Sequence, residues 1–114
     1  VSRERIAVVG AGIIGCAVAF ELSRRGRPVT VYDGRTVAGG ATQASAGILA
    51  PYTEAHGGGA LFDLTVRGLE AYDDFVAHVR ERTRMDFEYR RSGTLEVADT
   101  DARREDLQSR LSQP

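Results

Sequence analysis

Arg5-Ile6-Ala7-Val8-Val9-Gly10-Ala11-Gly12-Ile13-Ile14-Gly15 decides the fold. An apolar, strand-like run leads straight into G-x-G-x-x-G, and an alanine-rich helical pattern follows at once. Each glycine then has a separate task. Gly10 lets the chain turn tightly out of the strand, and Gly12, lacking a Cβ, lets backbone approach a pyrophosphate. Gly15 lets the new helix pack closely on the strand. The unpaired N–H groups and the positive dipole end of that helix face the phosphates.

The glycine pattern alone is weak, so its surroundings carry the reading. A helix is expected from Ile13 to about Arg25, with Ile14, Cys16, Ala17 and Phe20 giving apolar surface. Gly26 suits the left-handed position past the helix end, and Arg24 and Arg25 suit the negative end of the dipole. Pro28 introduces a second strand, Val29-Thr30-Val31-Tyr32, rich in β-branched and aromatic residues. It ends at Asp33. A carboxylate there can accept both ribose hydroxyl hydrogens of an adenosine, and it would repel a 2′-phosphate.

Bulk properties narrow the class. The 114 residues amount to one ordinary domain at most, and a net charge of −1 gives no argument for nucleic acid or an anionic membrane. All 15 basic residues are arginine, which excludes a Schiff-base or phosphate-loop lysine within the segment. A single cysteine, Cys16, rules out an internal disulfide and reads as a small helix filler. His56 and His78 lack companions at metal-ligand spacing, so no metal site is expected. Arg3, Arg5 and the apolar run to Phe20 loosely imitate a secretory signal. Glu4, the placed glycines and the polar helix end argue for strand and helix instead. With no apolar segment long enough to span a membrane, a cytoplasmic protein is expected.

After Asp33 an NAD-binding unit would soon offer another helix and a third parallel strand. This chain runs through Gly34-Arg35-Thr36-Val37-Ala38-Gly39-Gly40-Ala41-Thr42-Gln43-Ala44-Ser45-Ala46-Gly47-Ile48-Leu49-Ala50-Pro51. Glycine and serine suit a flexible linker, but the alanines, the Ile48-Leu49 pair and Pro51 fit main chain lying against a large flat ligand. Thr42 and Ser45 could add hydroxyl donors to phosphate or sugar oxygens.

G-A-G-I-I-G, then V-Y-D-G, then G-G-A-T-Q-A-S-A-G-I-L-A-P resembles the FAD-dependent D-amino-acid oxidase family. Within it the pattern looks most like the glycine oxidase branch associated with thiamine biosynthesis. The resemblance covers most of residues 5 to 98. It implies that Gly10, Gly12, Ile13, Ile14 and Gly15 meet the FAD pyrophosphate, and that Asp33 holds the adenosine ribose with Gly34 beside it. Many relatives use glutamate at the position of Asp33, which keeps the carboxylate. By the same resemblance Ala41 and Thr42 line the pyrophosphate and ribityl region. Ala46, Gly47 and Ile48 approach the isoalloxazine ring.

Further on, His56-Gly57-Gly58-Gly59 reads as a mobile break. Leu61, Leu64, Thr65, Gly68, Leu69, Tyr72, Phe75, Val76 and Val79 recur at helical spacing, so one long helix is expected. Met85 to Arg90 and Thr94 to Ala98 alternate like strands around Arg91-Ser92-Gly93, which predicts a hairpin. Asp99 or Asp101 would cap a final helix over Ala102 to Leu111.

The expected fold is α/β. A parallel β-α-β start of a Rossmann-like FAD-binding domain spans 1–84, and the opening of a β-rich substrate domain spans 85–114. Family members are several times longer, so the chain reads as an N-terminal portion whose partners are the remainder of the enzyme and a small amino-acid or amine substrate, with a homo-oligomer open. The expected activity is oxidation of glycine or another small amine to an imine by hydride transfer to FAD. No residue here is expected to be catalytic, and Tyr52 and His56 are candidates only for lining the site. An NAD-dependent dehydrogenase fragment and a non-catalytic dinucleotide-binding fragment are the alternatives.

Overall fold

The computed structural model describes residues 4–54, 59–83 and 85–111. The elements run β1 (Ile6–Val9), α1 (Ile13–Arg24), β2 (Val29–Tyr32), α2 (Ala41–Ala44), α3 (Pro51–Glu54), α4 (Ala60–Glu70), α5 (Tyr72–Arg82) and α6 (Asp101–Leu111). They fall into two compact units, Val1–Ile48 and Leu49–Pro114.

The first unit is a β-α-β crossover. β1 and β2 pair in parallel with Ile6 opposite Val29 and Val9 opposite Tyr32. Parallel strands need a long connection between them, and α1 supplies it. The β-branched residues of both strands favour that extended pairing. α1 starts after Gly12, whose extended backbone (φ −77°, ψ 179°) sets the helix entry. It ends in a Schellman motif. Gly26 takes φ +72°, its N–H donates to the Ser23 carbonyl at 2.9 Å, and the Arg27 N–H donates to the Leu22 carbonyl at 3.0 Å. That geometry satisfies two carbonyls the helix end would otherwise leave open.

Gly15 shows why the first helix and strand demand a glycine. A Cβ built there would lie 1.8 Å from the Gly10 carbonyl oxygen. Gly10 itself turns with φ +106°, a conformation that L side chains rarely adopt. Ala11, between them, is 5% exposed and forms the buried centre of this unit. Cys16 is half-buried, with Sγ 3.5 Å from the Ala11 carbonyl oxygen, as a small helix filler would be.

In the second unit the expected long helix is two helices meeting at Ala71. Ala71 keeps near-helical angles (φ −75°, ψ −9°), and its N–H still donates to the Arg67 carbonyl at 3.0 Å. Asp73 and Asp74 then occupy the first turn of α5, where carboxylates favour a fresh helix N-terminus. Val76, 5% exposed, is the buried residue among those described in this unit.

The expected hairpin does not form: residues 85–99 carry no strand. Their side chains are engaged elsewhere. Tyr89 Oη donates to Asp73 Oδ1 at 2.8 Å, and Arg91 Nη2 donates to the Leu69 carbonyl at 2.8 Å. Arg80 donates to the Phe87 carbonyl at 3.2 Å, with its guanidinium 5.1 Å from the Phe87 ring centre. An isolated pair of strands is marginal in water, so contacts to the helices decide the path of this segment. Gly93 still makes a left-handed turn (φ +76°). The final helix begins one residue earlier than expected, at Asp101. Its cap is Thr100, whose Oγ1 accepts the Arg103 N–H at 3.3 Å, in place of Asp99 or Asp101.

Candidate functional site

The candidate site lies in the first unit, at the ends of β1 and β2 where they meet the first turn of α1. The carboxyl ends of parallel strands are where open α/β sheets bind ligands. Asp33 follows β2 directly and reaches across to the turn after β1. Its Oδ2 accepts the Ala11 N–H at 2.6 Å, and its Oδ1 accepts the Arg35 N–H at 2.8 Å. The Ala11 amide, and secondly that of Arg35, hold the Asp33 carboxyl below the usual carboxylate range, because both bonds favour the charged form. One exposed carboxylate thus links the end of the sheet to the glycine turn. Carboxylate oxygens have further lone pairs, so these two bonds do not exhaust its capacity as an acceptor.

The segment after Asp33 folds back over the same turn. The Ala38 N–H donates to the Ala11 carbonyl at 2.9 Å. Ala38 takes φ +62°, unusual for a residue with a Cβ. Thr42, in α2, accepts the Ile13 N–H on Oγ1 at 2.9 Å. Ile13 opens α1, so Thr42 supplies an acceptor to one of the amides that a helix start leaves without an intrahelical partner.

These elements enclose an open hollow of about 320 Å³. Of the residues expected from sequence, Gly12, Asp33, Ala41 and Thr42 line it together. Gly10 and Gly15 shape the turn beneath it. Ile13 and Ile14 sit in the first turn of α1 with side chains 53% and 76% exposed. Gly34 lies beside Asp33 but does not line the hollow. Ala46, Gly47 and Ile48 follow α2 as exposed, irregular chain and are not brought to the hollow. Gly47 there takes φ +70°, and its N–H donates to Ser45 Oγ at 3.1 Å.

Sequence reasoning passed over Arg35, Thr36, Gly39 and Gly40, which share the lining. Arg35 Nη1 lies 3.7 Å from where a Gly40 Cβ would be, an ordinary contact distance, so the cation sits beside the glycine pair. The signal was available: an arginine two residues past a ribose-type acid, ahead of a glycine pair. Gly39 is also constrained, since a Cβ there would meet Thr36 Oγ1 at 2.5 Å.

The other candidates lie in the second unit. Tyr52, 61% exposed, packs its ring edge-on to Phe62 at 5.9 Å between centroids. His56 lies outside the described residues, as do most of its neighbouring glycines. His78 Nδ1 is 2.6 Å from the Asp74 carbonyl oxygen on its own helix, consistent with a surface histidine. Among the described residues no cluster of His, Cys, Asp or Glu could hold a metal ion. No helix of the described residues is long and apolar enough to cross a membrane.

Known proteins resemble this chain in sequence. The glycine oxidase of Geobacillus kaustophilus is 31% identical over 105 residues, covering 92% of this chain and 28% of that protein. The glycine oxidase of Bacillus licheniformis is 29% identical over 100 residues, covering 88% and 27%. The bifunctional protein ThiO/ThiG of Nostoc sp. is 36% identical over 90 residues, covering 79% and 14%. The chain therefore spans about a quarter of the length of the two glycine oxidases. No solved structure matches it significantly. The FAD dependent oxidoreductase family matches residues 5–114, nearly the whole chain. With its parallel β-α-β start and glycine turn, this chain belongs to the FAD dependent oxidoreductase family.

Proposed function

We propose that this chain forms the cofactor-holding start of an enzyme that oxidises glycine or another small amino acid or amine. The observation that carries the reading is the hollow itself. Gly12, Asp33, Ala41 and Thr42, named from sequence for one cofactor, converge there over the first turn of α1. The residues present fit the adenosine diphosphate half of FAD. Glycines 39 and 40 keep bulk out of the hollow, Arg35 adds a cation, and the helix start favours negative charge.

In this reading the Ile14 and Gly15 amides, which have no intrahelical carbonyl to bond, face the diphosphate. Ala11 and Ile13 donate to Asp33 and Thr42 and so hold the turn in place for it. Asp33 accepts from the ribose hydroxyls with its remaining lone pairs. Ala46, Gly47 and Ile48 lend backbone to the ring system, and residues 85–114 open the substrate-binding part. FAD held there would supply the hydride acceptor for oxidising the carbon beside the amine to an imine, which water would hydrolyse. The chain's own contribution is to hold, orient and charge-balance.

Glycine oxidase names among the relatives support glycine as the first substrate to try. The test is anaerobic mixing of the full-length flavoprotein with glycine, sarcosine or D-alanine while the flavin band near the visible blue is followed. Bleaching by at least one of these small amines is expected. A flavin that none of them reduces, but that a reduced nicotinamide does, would exclude the amine oxidation.

A further inference from the structure

Gly12 and Thr42 meet at a single atom. A Cβ built on Gly12 would lie 3.1 Å from Thr42 Oγ1, and apart from its chain neighbours it would touch nothing else within 4 Å among the described residues. The same oxygen accepts the Ile13 N–H at 2.9 Å, across 29 residues of chain. The hydroxyl thus stands in the space a side chain at position 12 would need, while bonding the amide of the next residue.

We propose that Gly12 is free of a side chain in order to admit the Thr42 hydroxyl, and that Thr42 is a positioning residue fastening α2 to the first turn of α1. The usual reason for a bare second glycine is approach of a diphosphate. Here the protein's own threonine makes a demand on the same space. Three bonds tie the segment after β2 to the glycine turn: Ala11 N–H to Asp33, Ala38 N–H to the Ala11 carbonyl, and Ile13 N–H to Thr42. Of these three, the Thr42 bond is the one that reaches α1 itself. A methyl group at position 12 would push Oγ1 by a few tenths of an ångström and lengthen that bond. The hollow would then lose one wall's register with the helix start. The effect on cofactor affinity rests on the FAD-holding role proposed above, whereas the effect on the protein's own stability does not.

The two demands on Gly12 are separable by a double-mutant cycle, since only the tether makes the cost of a Cβ at 12 depend on residue 42. The full-length protein, stripped of flavin, is compared as wild type, Gly12→Ala, Thr42→Ala, the double variant, Thr42→Ser and Thr42→Val. Thermal midpoints are measured first, and FAD affinity second by quenching of flavin fluorescence. Gly12→Ala is expected to lower the midpoint by about 2–4 °C when Thr42 is intact and to add little in the Thr42→Ala background. Thr42→Val is expected to weaken FAD binding by roughly tenfold, the loss of about one hydrogen bond, while Thr42→Ser stays within about twofold of wild type. An equal cost of Gly12→Ala in both backgrounds would overturn the proposal. So would a Thr42→Val variant matching wild type in midpoint and affinity. If Gly12→Ala does not fold, the serine and valine variants decide alone. Should wild type itself fail to bind FAD, the cofactor reading falls, and the thermal cycle still judges the tether.

Discussion

Gly15 and Asp33 carry the most specific chemistry at the scale of single residues. With a Cβ at position 15 only 1.8 Å from the Gly10 carbonyl oxygen, α1 and the turn must part. Gly15→Ala is therefore expected to cost about 2–3 kcal/mol, the upper range for overpacking, in urea unfolding of the full-length protein. Asp33 acts through charge. Its two backbone bonds lower its folded pKa from the ordinary 3.8, so the stability it contributes is fully present above that value. It is lost as pH falls through the lowered folded value. Asn keeps one acceptor oxygen and turns a donor toward the second amide, so Asp33→Asn should melt lower than wild type near neutrality. That gap should shrink when midpoints are compared below pH 3.8; a gap independent of pH would contradict the bonding to Ala11 and Arg35. The close packing at Gly15 and the place of Asp33 at the strand end were readable in sequence, because a glycine fingerprint and a strand-end acid are local patterns; the bonds of Asp33 to the Ala11 and Arg35 amides were not. The bond from Ile13 to Thr42 was not, since nothing in a linear pattern says which hydroxyl returns to which amide. Arg35 was passed over for a similar reason: one arginine among 15 shows its role only once the hollow is seen.

Secondary-structure elements divide by how much of their cause is local. β1, α1 and β2 fall where the sequence places them, because strand composition, helix-end glycine and terminal arginines all act within a few residues. Gly26 makes that concrete. Its φ of +72° closes α1, and Gly26→Ala is expected to cost about 1–2 kcal/mol of stability by urea titration, the penalty for a Cβ in the left-handed region. A variant as stable as wild type would show that the helix end can relax without it. In the second unit, alternation in residues 85–98 suggested strands, yet Tyr89, Arg91 and Phe87 have their partners on α4 and α5. Period-two patterning reports alternate faces, and the partner for those faces is a tertiary matter. Likewise the helical period runs unbroken from Leu61 to Val79, and the joint at Ala71 leaves it almost undisturbed. Val76 is the buried anchor of α5, so Val76→Ala is expected to cost about 1.6 kcal/mol, two buried methyl groups' worth, in the same assay.

Across the whole molecule, burial is sparse. Ala11 and Val76 are the buried residues among those described, while Val9 and Leu95 are each 87% exposed. The cofactor class was legible once residues 41 to 51 were read beside the glycine turn. The substrate was not, because none of the residues named here has to distinguish one amine from another. We propose that the glycine turn, Asp33 and the α2 segment together hold FAD. The most direct test of this claim is the cofactor content of the purified full-length protein. After denaturation, chromatography of the released small molecule should give FAD at about one per chain, and the stripped protein should take FAD back in preference to NAD. A colourless protein that FAD cannot reconstitute, or one that binds NADH in its place, would contradict that claim.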